Sequence, residues 1–243
     1  MMKKKYWAGL GLALSFLSGL FAAEQATGPV SLASNSFSIP STPPDTVITS
    51  DSLAMASGAV TLIGNVRAIN GDKILTSGKA TLWKSPDRLL ASLTPRLYQK
   101  EMTGDKAIPE KMVTRESTLD ALNILWDQTQ NRISASPAVS VKMDERSWDL
   151  ATHSWIIISA DSFEGFRDTN KLNFQGNVRI KDKAHFGQGN RLDYDKAANN
   201  AVLSGNARVE KEEWSLKERR MIKRILTGER IIYDLASKSA QSE

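Results

Sequence analysis

The sequence predicts an all-β chain, and three observations carry that expectation. Short runs alternate apolar and polar residues, the core Gly-Asn-x-Arg occurs three times, and a second recurring element precedes it at a nearly constant interval. The three copies are Val60 to Ile69, Lys171 to Ile180 and Ala201 to Val209. Gly-Asn between apolar runs is a hairpin signal, yet a two-residue turn would pair Leu203 with Arg208, Phe174 with Arg179 and Leu62 with Arg67. A strand running straight through has a period of two. It puts Leu203, Gly205, Ala207 and Val209 on one face and Ser204, Asn206 and Arg208 on the other. The same separation holds for Phe174, Gly176, Val178 and Ile180, and for Leu62, Gly64 and Val66. Gly-Asn is therefore predicted inside a strand, its glycine leaving room on the apolar face for a bend, a facing sheet or a bulky ligand.

The chain opens with Met1-Met2-Lys3-Lys4-Lys5, an apolar run from Tyr6 to Phe21, and Ala22-Ala23. That layout predicts a signal peptide over 1–23 and hence export. Leu20 or Phe21 stands where a small residue usually precedes the cleavage site, so an uncleaved anchor is the alternative; the run is shorter than the usual ~20 residues of a span. There is no cysteine, which excludes a lipoprotein anchor and disulfides. Residues 24–45 carry Ser31, Ser34, Ser36, Ser38, Ser41, Pro29, Pro40, Pro43 and Pro44, a composition that predicts a flexible tether. The folded domain is then 46–243. The formal net charge of +5 includes the three lysines at the start, so the domain is mildly basic and charge alone does not suggest nucleic acid.

The second element runs Asp51-Ser52-Leu53-Ala54-Met55, then Asp161-Ser162-Phe163, Asn190-Arg191-Leu192-Asp193-Tyr194 and Glu229-Arg230-Ile231-Ile232-Tyr233, with a weaker copy from Ser77 to Trp83. It precedes Gly64, Gly176 and Gly205 by nearly equal intervals, so the unit is a pair of strands repeated along the chain. Each strand has one oily side, which must face a second sheet or enclose an apolar interior. Between 110 and 130 the spacing of Leu119, Leu122, Leu125 and Trp126, with Ser117 placed to cap, predicts a short amphipathic helix, either a lid on the core or a membrane-binding face. Residues 212–225 fit a helix or an extended hairpin. Their basic cluster, Lys217, Arg219, Arg220, Lys223 and Arg224, is either a solvated face or a site of attraction to phosphate groups.

Chemistry has little to work with. His153 and His185 fall on different elements with no metal-ligand spacing, and there is no nucleophile elbow or phosphate-cradling glycine loop. Asp193 and Asp195 alternate outward beside Tyr194, as on a solvated strand. No catalytic residue, metal or cofactor is expected.

With these elements in order, the chain resembles the OstA-like, LptA-type family of periplasmic lipopolysaccharide-transport bridges. The resemblance rests on Ile48-Thr49-Ser50-Asp51-Ser52, Val60 to Val66, Gly71 to Trp83, Leu192-Asp193-Tyr194-Asp195, Val202 to Ala207 and Leu226 to Tyr233, and covers 46–83 and 157–239. It implies a twisted β-jellyroll of stacked antiparallel strands whose apolar groove shields the acyl chains of lipid A. It also implies head-to-tail homo-oligomers that join components at the inner and outer membranes. An inner-membrane-anchored partner of the same pathway and a ligand-free structural β-solenoid are the rival readings. The stretch from Leu97 to Ser154 departs from the family as a longer, partly helical connection. Each methylene moved into an apolar lining is favoured by about 0.8 kcal/mol. The expected lining is Ile48, Leu53, Met55, Leu62, Val66, Phe163, Phe174, Val178, Leu192, Tyr194, Leu203, Ile231 and Tyr233, with ordinary core packing the alternative for each.

Overall fold

The computed structural model describes residues 31–33, 36–39, 46–56, 58–70, 72–84, 87–103, 112–127, 129–147, 153–166, 168–169, 171–183, 185–195, 197–198, 200–215, 218–234 and 239–243. The expected signal segment, 1–23, lies outside them. All described elements are strands: β1 (Ser31–Ala33), β2 (Ser36–Ile39), β3 (Thr46–Thr49), β4 (Ser52–Ala56), β5 (Ala59–Asn70), β6 (Lys73–Lys84), β7 (Asp87–Ser92), β8 (Arg96–Thr103), β9 (Val113–Asp120), β10 (Asn123–Asp127), β11 (Arg132–Ser136), β12 (Val139–Ser147), β13 (His153–Ala160), β14 (Ser162–Phe166), β15 (Lys171–Asp182), β16 (His185–Asp195), β17 (Asn200–Ser215), β18 (Arg220–Asp234) and β19 (Ser239–Ser242). The first two fall inside 24–45, where composition predicts a tether; they pair with each other, and β2 pairs with β3.

Every pairing is antiparallel, and the pairings trace two lanes. One lane runs β4, β5, β6, β7, β10, β11, β14, β15, β16, β17, β18, β19. The other runs β1, β2, β3, β5, β6, β8, β9, β12, β13, β15, β16, β17, β18. The long strands belong to both lanes, and the shorter ones form pairs, such as β7 with β8 or β13 with β14, that are one bent strand interrupted at its middle. The chain is thus a meander of bent strands, each crossing from one lane to the other. One-faced strands dictate this outcome: most inward side chains of both lanes, from Leu119, Val141 and Ile158 to Phe163, Phe174 and Leu192, join one large apolar cluster, with a smaller one at the N-terminal rungs. Full burial of each such side chain contributes about 1.5–3 kcal/mol.

The bend has a repeated construction. Backbone N–H groups of Asp51, Gly78, Leu122, Asp161 and Glu229 donate to the carbonyls of Gly64, Leu93, Pro137, Gly176 and Glu243 at 2.9, 2.9, 3.1, 2.9 and 3.1 Å. At the Gly-Asn corners both residues take positive φ, 75° and 45° at Gly64-Asn65 and 76° and 47° at Gly176-Asn177. The ladder slips there, because Ile63 to Val66 spans the partner's Lys79 to Ser77. Gly-Asn is therefore inside a strand, as its face pattern predicts, and is a bulge that turns the strand. The interval between the two recurring elements is a physical contact: Asn65 Nδ2 donates to Asp51 Oδ2 at 2.9 Å, and Asn177 Nδ2 to Asp161 Oδ2 at 2.8 Å. A Cβ on Gly64 or Gly176 would collide with that carboxylate. The space these glycines leave is occupied by Asp51 and Asp161, which corrects the expectation of room for a sheet or a ligand.

The helix expected over 110–130 is absent: 113–120 and 123–127 are strands, the two arms of one bent strand. A strand that bends shifts the phase of its alternation. Leu119, Ala121 and Ile124 are the buried residues, at successive spacings of two and three, in place of the expected stripe of Leu119, Leu122, Leu125 and Trp126. Leu122, placed on the predicted helical face, is 51% exposed. The described residues of the stretch from Leu97 to Ser154 supply further rungs of the same sheet. Residues 212–225 resolve as the hairpin of β17 and β18.

Candidate functional site

Eleven of the thirteen side chains expected to line an apolar groove face inward. Ile48, Leu62 and Val66 form a small cluster with Ala80. Phe163, Phe174, Val178, Leu192, Tyr194, Leu203, Ile231 and Tyr233 belong to the large one. Leu53 and Met55 do not join them; at 39% and 59% exposure they point to solvent. Their strand β4 pairs with β5 alone among the described residues, so no further rung covers them.

Most of the interior is filled by its own side chains. Phe163 and Phe174, tilted with ring centroids 4.9 Å apart, close the middle of the molecule. Space remains toward the C-terminal rungs, where a cleft of about 420 Å³, including solvent at its mouth, is lined by Ile180, Gly187, Leu192, Ala201, Leu203, Val209, Ile231 and Tyr233, with Asp182 and His185. Only about 20 Å³ of it admits a water-sized sphere, far below the ~300–1,000 Å³ of ligand pockets, so its side chains must part before a hydrocarbon chain can enter. Four of the expected lining residues, Leu192, Leu203, Ile231 and Tyr233, meet here.

The cleft exists because of β16. The register sets Gly187 between Ile180 of β15 and Val209 of β17, so a rung of the inner face lacks a side chain. Sequence reasoning assigned the open space to Gly64, Gly176 and Gly205 and passed over Gly187. The signal was available in the alternation Gly187-x-Gly189, but the phase shift at the corner, after which Leu192 and Tyr194 face in, separates it from the rest of its strand.

The walls are apolar and the lip is polar. His185 donates its backbone N–H to Asp182 Oδ1 at 2.7 Å, and its Nδ1 lies 3.0 Å from both carboxylate oxygens. Burial, with Asp234 nearby, pushes the Tyr233 phenol well above its ordinary range, which keeps it neutral. Outward positions on the same rungs are wet and paired: Arg191 holds Asp193 at 2.6 Å and Lys171 holds Asp195 at 3.1 Å. A second hollow, bounded mainly by polar and charged residues, Gln99, Arg115, Ser117 and Asp144 with Met143, is smaller still. Among the described residues no group of three His, Asp or Glu side chains could hold a metal ion.

No family model and no curated protein matches this chain. Among solved structures it is similar to the crystal structure of LptH from Pseudomonas aeruginosa, described as the LptA homologous periplasmic component of the conserved lipopolysaccharide transport device. The two are 13% identical, the match covers 74% of this chain and 94% of that one, and the TM-score is 0.34.

Proposed function

We propose that this chain is an exported, non-enzymatic carrier that shelters acyl chains of lipopolysaccharide and passes them toward the outer membrane. The observation that supports this reading is the C-terminal cleft, apolar on its walls and polar at its lip. An acyl chain that parts Leu192, Leu203, Ile231 and Tyr233 would gain about 0.8 kcal/mol per methylene buried, while sugars and phosphates stay in water beyond Asp182 and His185. Transfer along such a surface needs no bond to break. Residues 220–228 of β18 and the whole of β4 have a strand on one side only among the described residues. Pairing between such edges would join copies head to tail and link them to components at either membrane.

The test is a photo-crosslinking amino acid in place of Tyr233 or Leu203, with Arg179 on the outer face as control. Lipid A captured from cells at the first two positions and not at the third supports the carrier. Capture only at Arg179 sinks it.

The filled interior around Phe163 and Phe174 favours a second reading, a structural stack of rungs with no ligand. Native mass spectrometry of the purified protein separates the two, because a ligand-free scaffold carries no acyl species.

A further inference from the structure

Strands β17 and β18 outrun their neighbours. Pairing of β16 with β17 stops at His185 with Lys211, but β17 and β18 continue through Glu212 with Lys223, Glu213 with Ile222, Trp214 with Met221 and Ser215 with Arg220. These four pairs form a two-stranded ribbon with no third strand among the described residues. A bare ribbon is marginal in water, and this one presents its oily side chains to solvent. Trp214 and Met221 face each other across it at 58% and 57% exposure, and Ile225, at the same phase, is 51% exposed.

Charge accompanies the apolar face. Between 217 and 224 the sequence holds Lys217, Arg219, Arg220, Lys223 and Arg224 against one acid, Glu218. Arg219 takes φ 51° in the turn, Arg220 opens β18, and Lys223 and Arg224 follow along that strand. Glu218 in the turn pairs with Arg220 at 2.7 Å, and on β17 Glu210 is tied to Arg208 and Lys223. Another exposed apolar pair among the described residues, Leu53 and Met55 on β4, has no Lys or Arg between 46 and 64.

We propose that this ribbon is a docking surface for an anionic phospholipid bilayer. Tryptophan with basic neighbours suits the boundary between headgroups and acyl chains, where the indole ring is half wet and the cations meet phosphates. The open edge of β18 rules out deeper insertion, because unpaired backbone groups are not tolerated in hydrocarbon. The ribbon therefore lies in the headgroup layer with Trp214 and Met221 turned toward the acyl chains. This surface is separate from the cleft and does not depend on its occupant.

The test is co-flotation of the full mature chain with vesicles of phosphatidylglycerol and phosphatidylcholine, free of lipopolysaccharide, and with phosphatidylcholine alone. Binding should require the anionic lipid, weaken with salt, and fall about fivefold for each of Arg219→Gln and Arg220→Gln. Trp214→Ser with Met221→Ser should lower it about tenfold or more. Leu53→Ser with Met55→Ser, at the β4 pair, should leave it unchanged, and thermal melts should show all variants folded. Equal binding to neutral vesicles, indifference to the ribbon variants, or a lipid-free dimer that Trp214→Ser dissociates would each overturn the proposal.

Discussion

The same three-residue opening meets opposite fates in two regions. Asp51-Ser52-Leu53 and Asp161-Ser162-Phe163 each start a strand after a corner, each aspartate accepts from the asparagine of the following Gly-Asn, and each backbone N–H donates to the glycine carbonyl. Yet Phe163 is 1% exposed and Leu53 is 39% exposed. The difference lies in what comes next along the stack. Strand β14 has β15 on one side and β11 on the other, whereas β4 has β5 alone among the described residues. The motif builds the bend, and neighbouring rungs decide burial.

Four measurements test that contrast. The largest effect is at the third residue: Phe163→Ala should cost about 3–5 kcal/mol in urea unfolding, while Leu53→Ala should stay within about 0.5 kcal/mol. Comparable losses at both would dissolve the distinction. At the corners the two regions should instead agree. Gly64→Ala and Gly176→Ala each force a side chain into left-handed backbone against a carboxylate, and each should lose about 2–3 kcal/mol; a large inequality would mean that the corners are not equivalent. Removing the cross-corner hydrogen bond with Asp51→Ala or Asp161→Ala is a milder cut, about 0.5–1.5 kcal/mol by the same unfolding assay.

The smallest effect is with pH. Burial alone would raise the Asp144 carboxyl, but hydrogen bonds from Arg146 and His153 bring it below the ordinary carboxylate range. Asp195 is lowered by the backbone N–H of Ala198 and by Lys171. Carboxyls depressed in the folded state stabilise it above their unfolded values and lose that contribution as pH falls through the folded ones. Stability should therefore decline below about pH 4, and Asp195→Asn should flatten part of that decline in acid unfolding curves. A curve unchanged by the substitution would remove Asp195 from the account.

The Gly-Asn corners were legible because two successive residues with positive φ favour glycine and asparagine. The equivalent bend at Leu93-Thr94, with φ 61° and 58°, uses residues that carry no such signal, and the bend at Pro137-Ala138 is equally silent. The helical spacing read from Leu119, Leu122, Leu125 and Trp126 straddles one such corner, where the phase slip buries Leu119, Ala121 and Ile124 instead. Inward residues of the long strands were readable from alternation alone. Exposure of Leu53 and Met55 was not, because alternation names a face and says nothing about whether another strand covers it. The cleft depended on which residue stands opposite Gly187 across two neighbours, a register that no single strand encodes.

The corner hydrogen bond recurs unchanged whether its residues are Asp51 and Gly64 or Leu122 and Pro137. Bending is thus decoupled from length. The lane from β4 to β19 holds twelve strands, and at about 4.8 Å between neighbours its reach is roughly 50 Å. The chain works as a ruler graduated in rungs: inserting or excising one pair of bent strands would change the span by about 10 Å and leave the chemistry of both ends untouched.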